Sequence, residues 1–525
     1  MAKKRKNELE TAEDVTTNLP VDEESGKKTK KKKVKKVKTR EQKLKKKRTN
    51  IIISLVVFSV FFLFFLGCGI TTKVGSDALL KAVGNVKQVT YSTAETDRIY
   101  PEIDESTGKA KIDENGCYNF VDKNNVLERR NFKVLQLTDI HIGAGAFSIR
   151  TDKWTIETVE DMGRKAEPDL VVVTGDIAYP VFFQSATLNN MKEAKVFATL
   201  MEKLGVYWTF AFGNHDTELY SSYTREDIGA FYHDTPEFKH CLFNNKKPQV
   251  NGKDIFGTGN FAINIRKADR TLVHSIFMVD SNSYQQDDPL GAKWHYDAIH
   301  EDQIAWYEGM CNTLGLTGNE SAKSTMYFHI PIKEFRTVFD LYNEQTNPNK
   351  DIEGFKPSQT NPVLGKEFIV KGATASNQIT NFMLCNGVVG EWGKGALGTD
   401  LDAEYIYPAL VKNGTTGVFC GHDHMNNSSY WIKKGNNPED KIGLKLTYGM
   451  SVDYLAYPGI YKKTAQRGGR IIEINEVNKL KGNPTANYEG QTIKDNQAFG
   501  FITYRVPYWL DKNNNTNAAP LPQGM

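Results

Sequence analysis

VYWTFAFGNHD, residues Val206–Asp216, joins an unbroken apolar run to a turn made of Gly213, Asn214, His215 and Asp216. A run without polar alternation predicts a strand buried on both faces. The pattern repeats outward in both directions. Upstream stand KVLQLTD (Lys133–Asp139) and DLVVVTGD (Asp169–Asp176). Downstream stand HSIFMVDS (His274–Ser281), STMYFHIP (Ser324–Pro331), TGVFCGHDH (Thr416–His424) and LKLTYG (Leu444–Gly449). Helical patterns occupy intervals between them, at Lys153–Lys165, Asn189–Leu204 and Glu301–Leu314. This alternation predicts an α/β domain built in layers. In such sheets ligands collect beyond the carboxyl ends of the strands, where Asp139, Asp176, Asn214, His329 and His422 fall.

Five polar clusters follow in order: Asp139-Ile140-His141, Gly175-Asp176, Gly213-Asn214-His215-Asp216, His329, and Gly421-His422-Asp423-His424. A lone Asp-x-His or Gly-Asp turns up by chance in most long chains. Gly-Asn-His-Asp and Gly-His-Asp-His, each closing an apolar strand of one chain, are far more specific. Carboxylate, amide and imidazole donors together suit a pair of metal ions: imidazole fits zinc or iron, and oxygen donors fit manganese. Two such ions about 3.5–4 Å apart offset the charge of a phosphate ester and lower the pKa of a bound water.

The motif order D-x-H, G-D, G-N-H-[DE], H and G-H-x-H resembles that of the calcineurin-like metallophosphoesterase superfamily over residues 131–475, closest to its purple-acid-phosphatase-like branch. HIPI (His329–Ile332), VDSNSY (Val279–Tyr284), EDQIAWY (Glu301–Tyr307) and GHDHMNN (Gly421–Asn427) add to the likeness. The resemblance implies a metallophosphoesterase-type β-sandwich flanked by helices. It also implies a dinuclear phosphatase that hydrolyses phosphomonoesters through a metal-activated hydroxide, with iron, zinc or manganese as the ions. Carried over, Asp139, His141 and His424 hold the first ion, Asp176 bridges, and Asn214, His329 and His422 hold the second. His215 stabilises or protonates the leaving oxygen, with Asp216 orienting its ring. Asp176-Ile177-Ala178-Tyr179 also matches the GDxxY of purple acid phosphatases, in which the tyrosine ligates ferric iron. Either His141 or Tyr179 therefore completes the first site, with His141 favoured. The same ion pair would serve a phosphodiesterase or pyrophosphatase. An inactive, membrane-tethered binding protein would instead require a broken ligand set.

The other histidines, His233, His240, His274, His295 and His300, are expected in loops or core, although the WHYDAIHEDQ segment around His295 and His300 is a candidate cleft lining. Arg470 could meet a phosphate oxygen, but a surface salt bridge is the expected use. Six widely spaced cysteines without CxxC spacing predict neither a disulfide framework nor a metal knuckle. Sequons stand at Asn319, Asn413, Asn426, Asn427 and Asn514.

Charge is unevenly placed. Residues 1–50 carry nineteen Lys/Arg against eight Asp/Glu, net +11, which leaves −7 for the remainder of a chain totalling +4. This polar tail has too few apolar residues to order itself. Its Lys run is expected to set topology as a solvated tail, to which attraction to anionic lipid headgroups adds, and without aromatics between the lysines nucleic-acid binding is not expected. Ile51–Ile70 is uncharged over twenty residues, about 30 Å of helix, which matches a bilayer's hydrocarbon thickness. Fifteen basic residues in Lys27–Arg48 would keep the N-terminus cytosolic and place the catalytic domain outside or in a lumen. A cleaved signal peptide competes with this signal anchor, but its basic region would be unusually long. The expected divisions are a tail (1–50), an anchor (51–70), a stalk with a peripheral strand or two (71–130), a catalytic domain (131–475) and an extension (476–525).

Overall fold

DLVVVT forms a strand buried at every position because both its faces are covered, and the same holds for the apolar runs beside it. The computed structural model describes residues 39–292, 296–332, 334–335, 368–371, 402–424, 429–433, 443–456, 467–482, 487–488, 491–492, 497–510 and 516–518. In chain order the elements begin α1 (Arg40–Val83), β1 (Tyr100–Pro101), β2 (Tyr118–Asp122), β3 (Phe132–Leu137), α2 (Ile149–Ala166), β4 (Leu170–Thr174), α3 (Phe182–Ser185), α4 (Asn190–Leu204) and β5 (Trp208–Ala211). There follow α5 (Arg225–Asp234), the hairpin β6 (Gln249–Val250) and β7 (Lys253–Asp254), β8 (Phe261–Lys267), β9 (Leu272–Met278), α6 (Glu301–Thr313), β10 (Lys323–Tyr327) and β11 (Phe368–Lys371). The last are α7 (Asp402–Lys412), β12 (Thr415–Cys420), β13 (Ser429–Lys433), β14 (Gly443–Tyr448), β15 (Gly468–Ile474), β16 (Asn487–Tyr488), β17 (Gln491–Thr492), β18 (Phe501–Leu510) and β19 (Thr516–Ala518).

Two sheets carry the fold. One has nine strands in the order β1-β2-β8-β9-β10-β12-β14-β13-β11, the other six in the order β19-β18-β15-β3-β4-β5. Strands β3, β4 and β5 run parallel, as do β9, β10, β12 and β14, so each sheet gathers several carboxyl ends at one edge. A single core joins the sheets, with Phe120, Ile263, Ile276 and Phe419 on one side and Val134, Val172 and Ile472 on the other. The rings of Phe419 and Phe501 meet across it at 5.7 Å. Trp306 and Met310 of α6 and Leu410 of α7 pack with Phe277, Met326 and Val418 on the nine-stranded sheet. Helix α2 lies on β15 and β18. The layered α/β sandwich with flanking helices is as expected.

The divisions of the chain differ from expectation. It separates into two compact units, Met1–Leu63 and Phe64–Met525, and the boundary falls inside α1. In the first unit the described residues are helical from Arg40, so the basic tail's last turns are ordered; residues 1–38 lie outside the described residues. In the second, the segment expected as a stalk continues α1 to Val83 and buries Thr72, Gly75, Ser76, Leu79 and Val83. Beyond it β2 pairs with β8 as part of the nine-stranded sheet. The expected extension likewise supplies β18, which pairs along β15 from Gly468↔Pro507 to Ile474↔Phe501. Among the described residues, α1 is the one helix long and apolar enough to cross a membrane.

Candidate metal centre

Each motif sits where a parallel strand gives out. Asp139 follows β3, Asp176 follows β4, Asn214 follows β5, His329 follows β10 and His422 follows β12. Asp139, His141, Asp176 and His422 all hold positive φ, between 49° and 75°. That region is disfavoured for residues with a Cβ, and its use by four site residues is local strain of the kind concentrated at functional sites. The motif glycines are there for space. A Cβ on Gly175 would lie 2.4 Å from the His329 ring, and one on Gly213 would lie 2.1 Å from Asp176 Oδ1.

The side chains form two buried sets. Ligand atoms of Asp139, His141, Asp176 and His424 lie within 4.8 Å of one another, and so do those of Asp176, His329 and His422. Asn214 joins the second set, its Oδ1 lying 3.1 Å from His329 Nε2 and 2.9 Å from His422 Nδ1. Asp176 is common to both, with Oδ2 at 3.2 Å from both His141 Nε2 and His329 Nε2. The sets therefore meet at the carboxylate expected to bridge.

Charge balance tests whether metal ions fit here. Burial opposes a charged His141, yet Asp176 and Asp453 outweigh it and push the ring up to about 10. His329 rises to about 9 for the same reason, burial being overcome chiefly by Asp176. Burial also works against an ionised Asp176, but His329, His215 and His141 hold it well below the usual carboxylate range. Burial leaves His424 below its ordinary value, while His141 and His424 together hold the buried Asp453 well below the usual carboxylate range. A cluster that recruits protons onto buried imidazoles is one that lacks positive charge. Metal cations supply that charge with the rings neutral, and a mixed Asp/Asn/His donor set is chemically suited to them.

His215 stands at the mouth. Its N–H bonds Asp176 Oδ1 at 2.8 Å, and its ring lies 5.4 Å from that of His141 and 5.0 Å from that of Tyr179. The ring is held by Glu218, whose Oε1 is 2.6 Å from Nδ1. Asp216, expected to orient this ring, does something else. Its oxygens accept the N–H groups of Asp176, Ala178 and Gly213, which pins two motif loops together. A buried carboxylate committed to three backbone donors is not placed to turn the neighbouring imidazole. Burial, with Asp176 nearby, pushes Asp216 up to about 6.

Tyr179 lies with its ring tilted against that of His141, centroids 4.6 Å apart. His300 stacks on Phe256 and pairs with Asp297 at the start of α6; His233 pairs with Asp234 and His240 with Glu202. His274 is buried beside Thr325, and burial lowers it to about 3. His295 lies outside the described residues. Arg470 is fully buried, not a surface ion-pair partner; its Nε donates to the Tyr448 carbonyl between β15 and β14. The five described cysteines are free and buried, and Cys385 lies outside. Asn413 is buried with its amide on the Ala409 carbonyl, which removes it from the usable sequons; Asn426, Asn427 and Asn514 lie outside.

Four contributors escaped the sequence reading. Asp453 lies 3.7 Å from His141 Nδ1 with one oxygen and 3.7 Å from His424 Nδ1 with the other. Its signal was its place after the strand LKLTYG. Glu218 follows His215 by three residues in a 3-10 turn. The Tyr284 hydroxyl accepts the Asn214 amide at 2.9 Å, which aims Oδ1 at the histidines. Tyr296 meets His422 edge-on at 4.5 Å, so the WHYDAIHEDQ segment does reach the site, through its tyrosine.

Comparison with known proteins finds relatives named as purple acid phosphatases and as a phosphatase. "Probable inactive purple acid phosphatase 14" of Arabidopsis thaliana is 26% identical over 325 residues, covering 56% of this chain and 66% of that protein. The chain thus spans just under two thirds of that relative's length. "Probable inactive purple acid phosphatase 29" of the same plant is 25% identical, covering 67% of this chain and 78% of the relative. "Phosphatase DCR2" of Saccharomyces cerevisiae is 26% identical, covering 69% and 56%. Among solved structures, a dimetal phosphatase from Danio rerio aligns at 11% identity with a TM-score of 0.35, over 66% of this chain and 93% of that one. The profile of the calcineurin-like phosphoesterases matches residues 132–426, more than half the chain and all five motifs, and the chain belongs to that family.

Proposed function

We propose that the chain is a dinuclear metal-dependent phosphatase acting on phosphomonoesters, carried by a single membrane-spanning helix with its catalytic unit outside the cytosol. The observation that supports this most is the meeting of two complete, buried ligand sets at Asp176. Asp139, His141 and His424 would hold one ion, and Asn214, His329 and His422 the other. Bound metal would supply a hydroxide from water and offset the charge of the phosphate. In this reading His141 completes the first set, and the Tyr179 ring lies tilted beside it, centroids 4.6 Å apart. The metals are iron, zinc or manganese.

The protein's own proton chemistry falls to His215. Glu218 takes Nδ1, which leaves Nε2 to give a proton to the departing oxygen. His329 donates Nδ1–H to the Thr174 carbonyl at 2.7 Å, so Nε2 faces the site as a neutral donor. Asp453 fixes the orientation of His141 and His424 from behind.

The test is turnover of p-nitrophenyl phosphate against its bis ester by the full-length chain, before and after chelation. We expect metal-dependent cleavage of the monoester to dominate. Faster cleavage of the bis ester would make it a phosphodiesterase. Bound metal without turnover of either would favour the reading as an inactive binding protein; the two plant relatives are themselves named inactive. Orientation is tested separately: in vesicles with the cytosolic side out, protease should cut the Lys-rich tail and spare the catalytic unit.

A further inference from the structure

Two loops that leave the metal site converge on the part of α1 that belongs to the catalytic unit. The loop after His141 brings Ala144 and Gly145 against Gly75, where a Cβ on Gly75 would lie 2.3 Å from the Gly145 carbonyl carbon. The loop after Asp176 brings the Thr187 hydroxyl to 2.5 Å from that of Thr72, and the Ala186 carbonyl accepts from Thr71. The loops are also bound to each other. Tyr179 N–H reaches the Ile142 carbonyl, and Gly145 is packed so closely on Ser185 that a Cβ would lie 1.8 Å from its carbonyl oxygen. Asp152 fastens the first loop, accepting from the Gly143 and Ala144 N–H groups and from Ser148.

Held this way, the loops turn aromatic rings outward. Phe147 is 68% exposed and Phe183 is 87% exposed. Phe182 packs its ring 4.8 Å from Phe64 and 5.5 Å from Phe183. Phe64 lies inside the uncharged run Ile51–Ile70, seven residues and so about 10 Å before Thr71 along the helix. Phe183 is therefore continuous, through Phe182, with Phe64 in the last two turns of the uncharged run, and Phe147 stands on the adjoining loop, its N–H on the Ser185 carbonyl. A lone exposed phenylalanine needs no explanation, but a cluster continuous with an apolar helix does.

We propose that Phe147, Phe182 and Phe183 rest in the interfacial layer of the bilayer that α1 enters. The catalytic unit then lies against the lipid, with the loops that carry Asp139, His141, Asp176 and Tyr179 held at the membrane surface. This rests on the reading of Ile51–Ile70 as a membrane span.

The experiment uses the full-length chain in phosphatidylcholine vesicles, with an environment-sensitive fluorophore on a cysteine introduced at Phe147, Phe183, Phe58 or Asp269. Phe58 reports on the span, and Asp269 on a solvent-exposed turn. Nitroxide-labelled phosphatidylcholine should quench most of the emission at F147C, F183C and F58C and leave D269C unchanged. Aqueous iodide should do the reverse. Iodide quenching at F147C and F183C with lipid quenching at F58C overturns the docking surface and leaves the span intact. Iodide quenching at F58C as well overturns both.

Discussion

Behind the first ligand set the support is a carboxylate, Asp453, 3.7 Å from the far nitrogens of both His141 and His424. Behind the second, the supports among the described residues are uncharged: the Thr174 carbonyl under His329, the Tyr284 hydroxyl under Asn214 and the Tyr296 ring beside His422. The ligands differ in the same sense, since Asp139 occupies the first set where the second has the amide of Asn214. The first pocket is thus the more negative of the two and suits the more highly charged or more tightly held ion. An imidazole backed by a carboxylate is also a stronger donor than one backed by a carbonyl. One centre is built with two unequal halves that share Asp176.

The comparison breaks most completely at the shared residue. Asp176→Asn removes one negative charge from between two cations, and we expect most bound metal and most turnover to be lost while circular dichroism stays unchanged. Full turnover in that variant would mean that the halves are not joined there. Next in size is His215→Ala, expected to lower kcat by roughly 10²–10⁴ with metal content intact. Glu218→Gln should act in the same direction more weakly, because the His215 ring keeps an acceptor at Nδ1 but loses the charge of its partner. Metal loss in either variant would place His215 among the ligands instead.

Smaller effects separate the two halves. Asp453→Asn should weaken metal binding by about 10–100-fold in the first pocket and leave the second unaltered, read as two phases in a competitive chelator titration. A uniform loss would erase the asymmetry. Smallest of all should be Tyr179→Phe, which keeps most activity, while His141→Ala is severely impaired. A violet protein that bleaches in Tyr179→Phe would exchange those roles and put a phenolate on iron.

Legibility followed chemistry that is local in the chain. A buried parallel strand must end at the sheet edge, so the residue after it is placed by the strand itself; Asp139, Asp176, Asn214, His329 and His422 were readable for that reason. Asp453 follows β14 by five residues, and its partners lie about thirty and three hundred positions away, so no spacing in the sequence relates them. Asp216 was misassigned because adjacency to His215 says nothing about direction: in the 3-10 turn it is Glu218 that reaches the ring. The supposed stalk failed on composition. Gly75 reads as a linker residue, yet it lies where the helix comes within backbone contact of the loop after His141, and Thr72 meets Thr187 of the loop after Asp176. Pairing of β18 with β15 brings the chain's last segment back to its first motif strand, a contact that only tertiary structure declares.

Elemental analysis of the purified full-length chain, with its visible spectrum and its turnover of p-nitrophenyl phosphate, tests the dinuclear centre most directly. The account predicts two tightly bound transition-metal ions per chain, a colourless solution, and turnover that chelation abolishes and metal restores. A chain that binds at most one ion, or that cleaves the ester at full rate after exhaustive chelation, would contradict it.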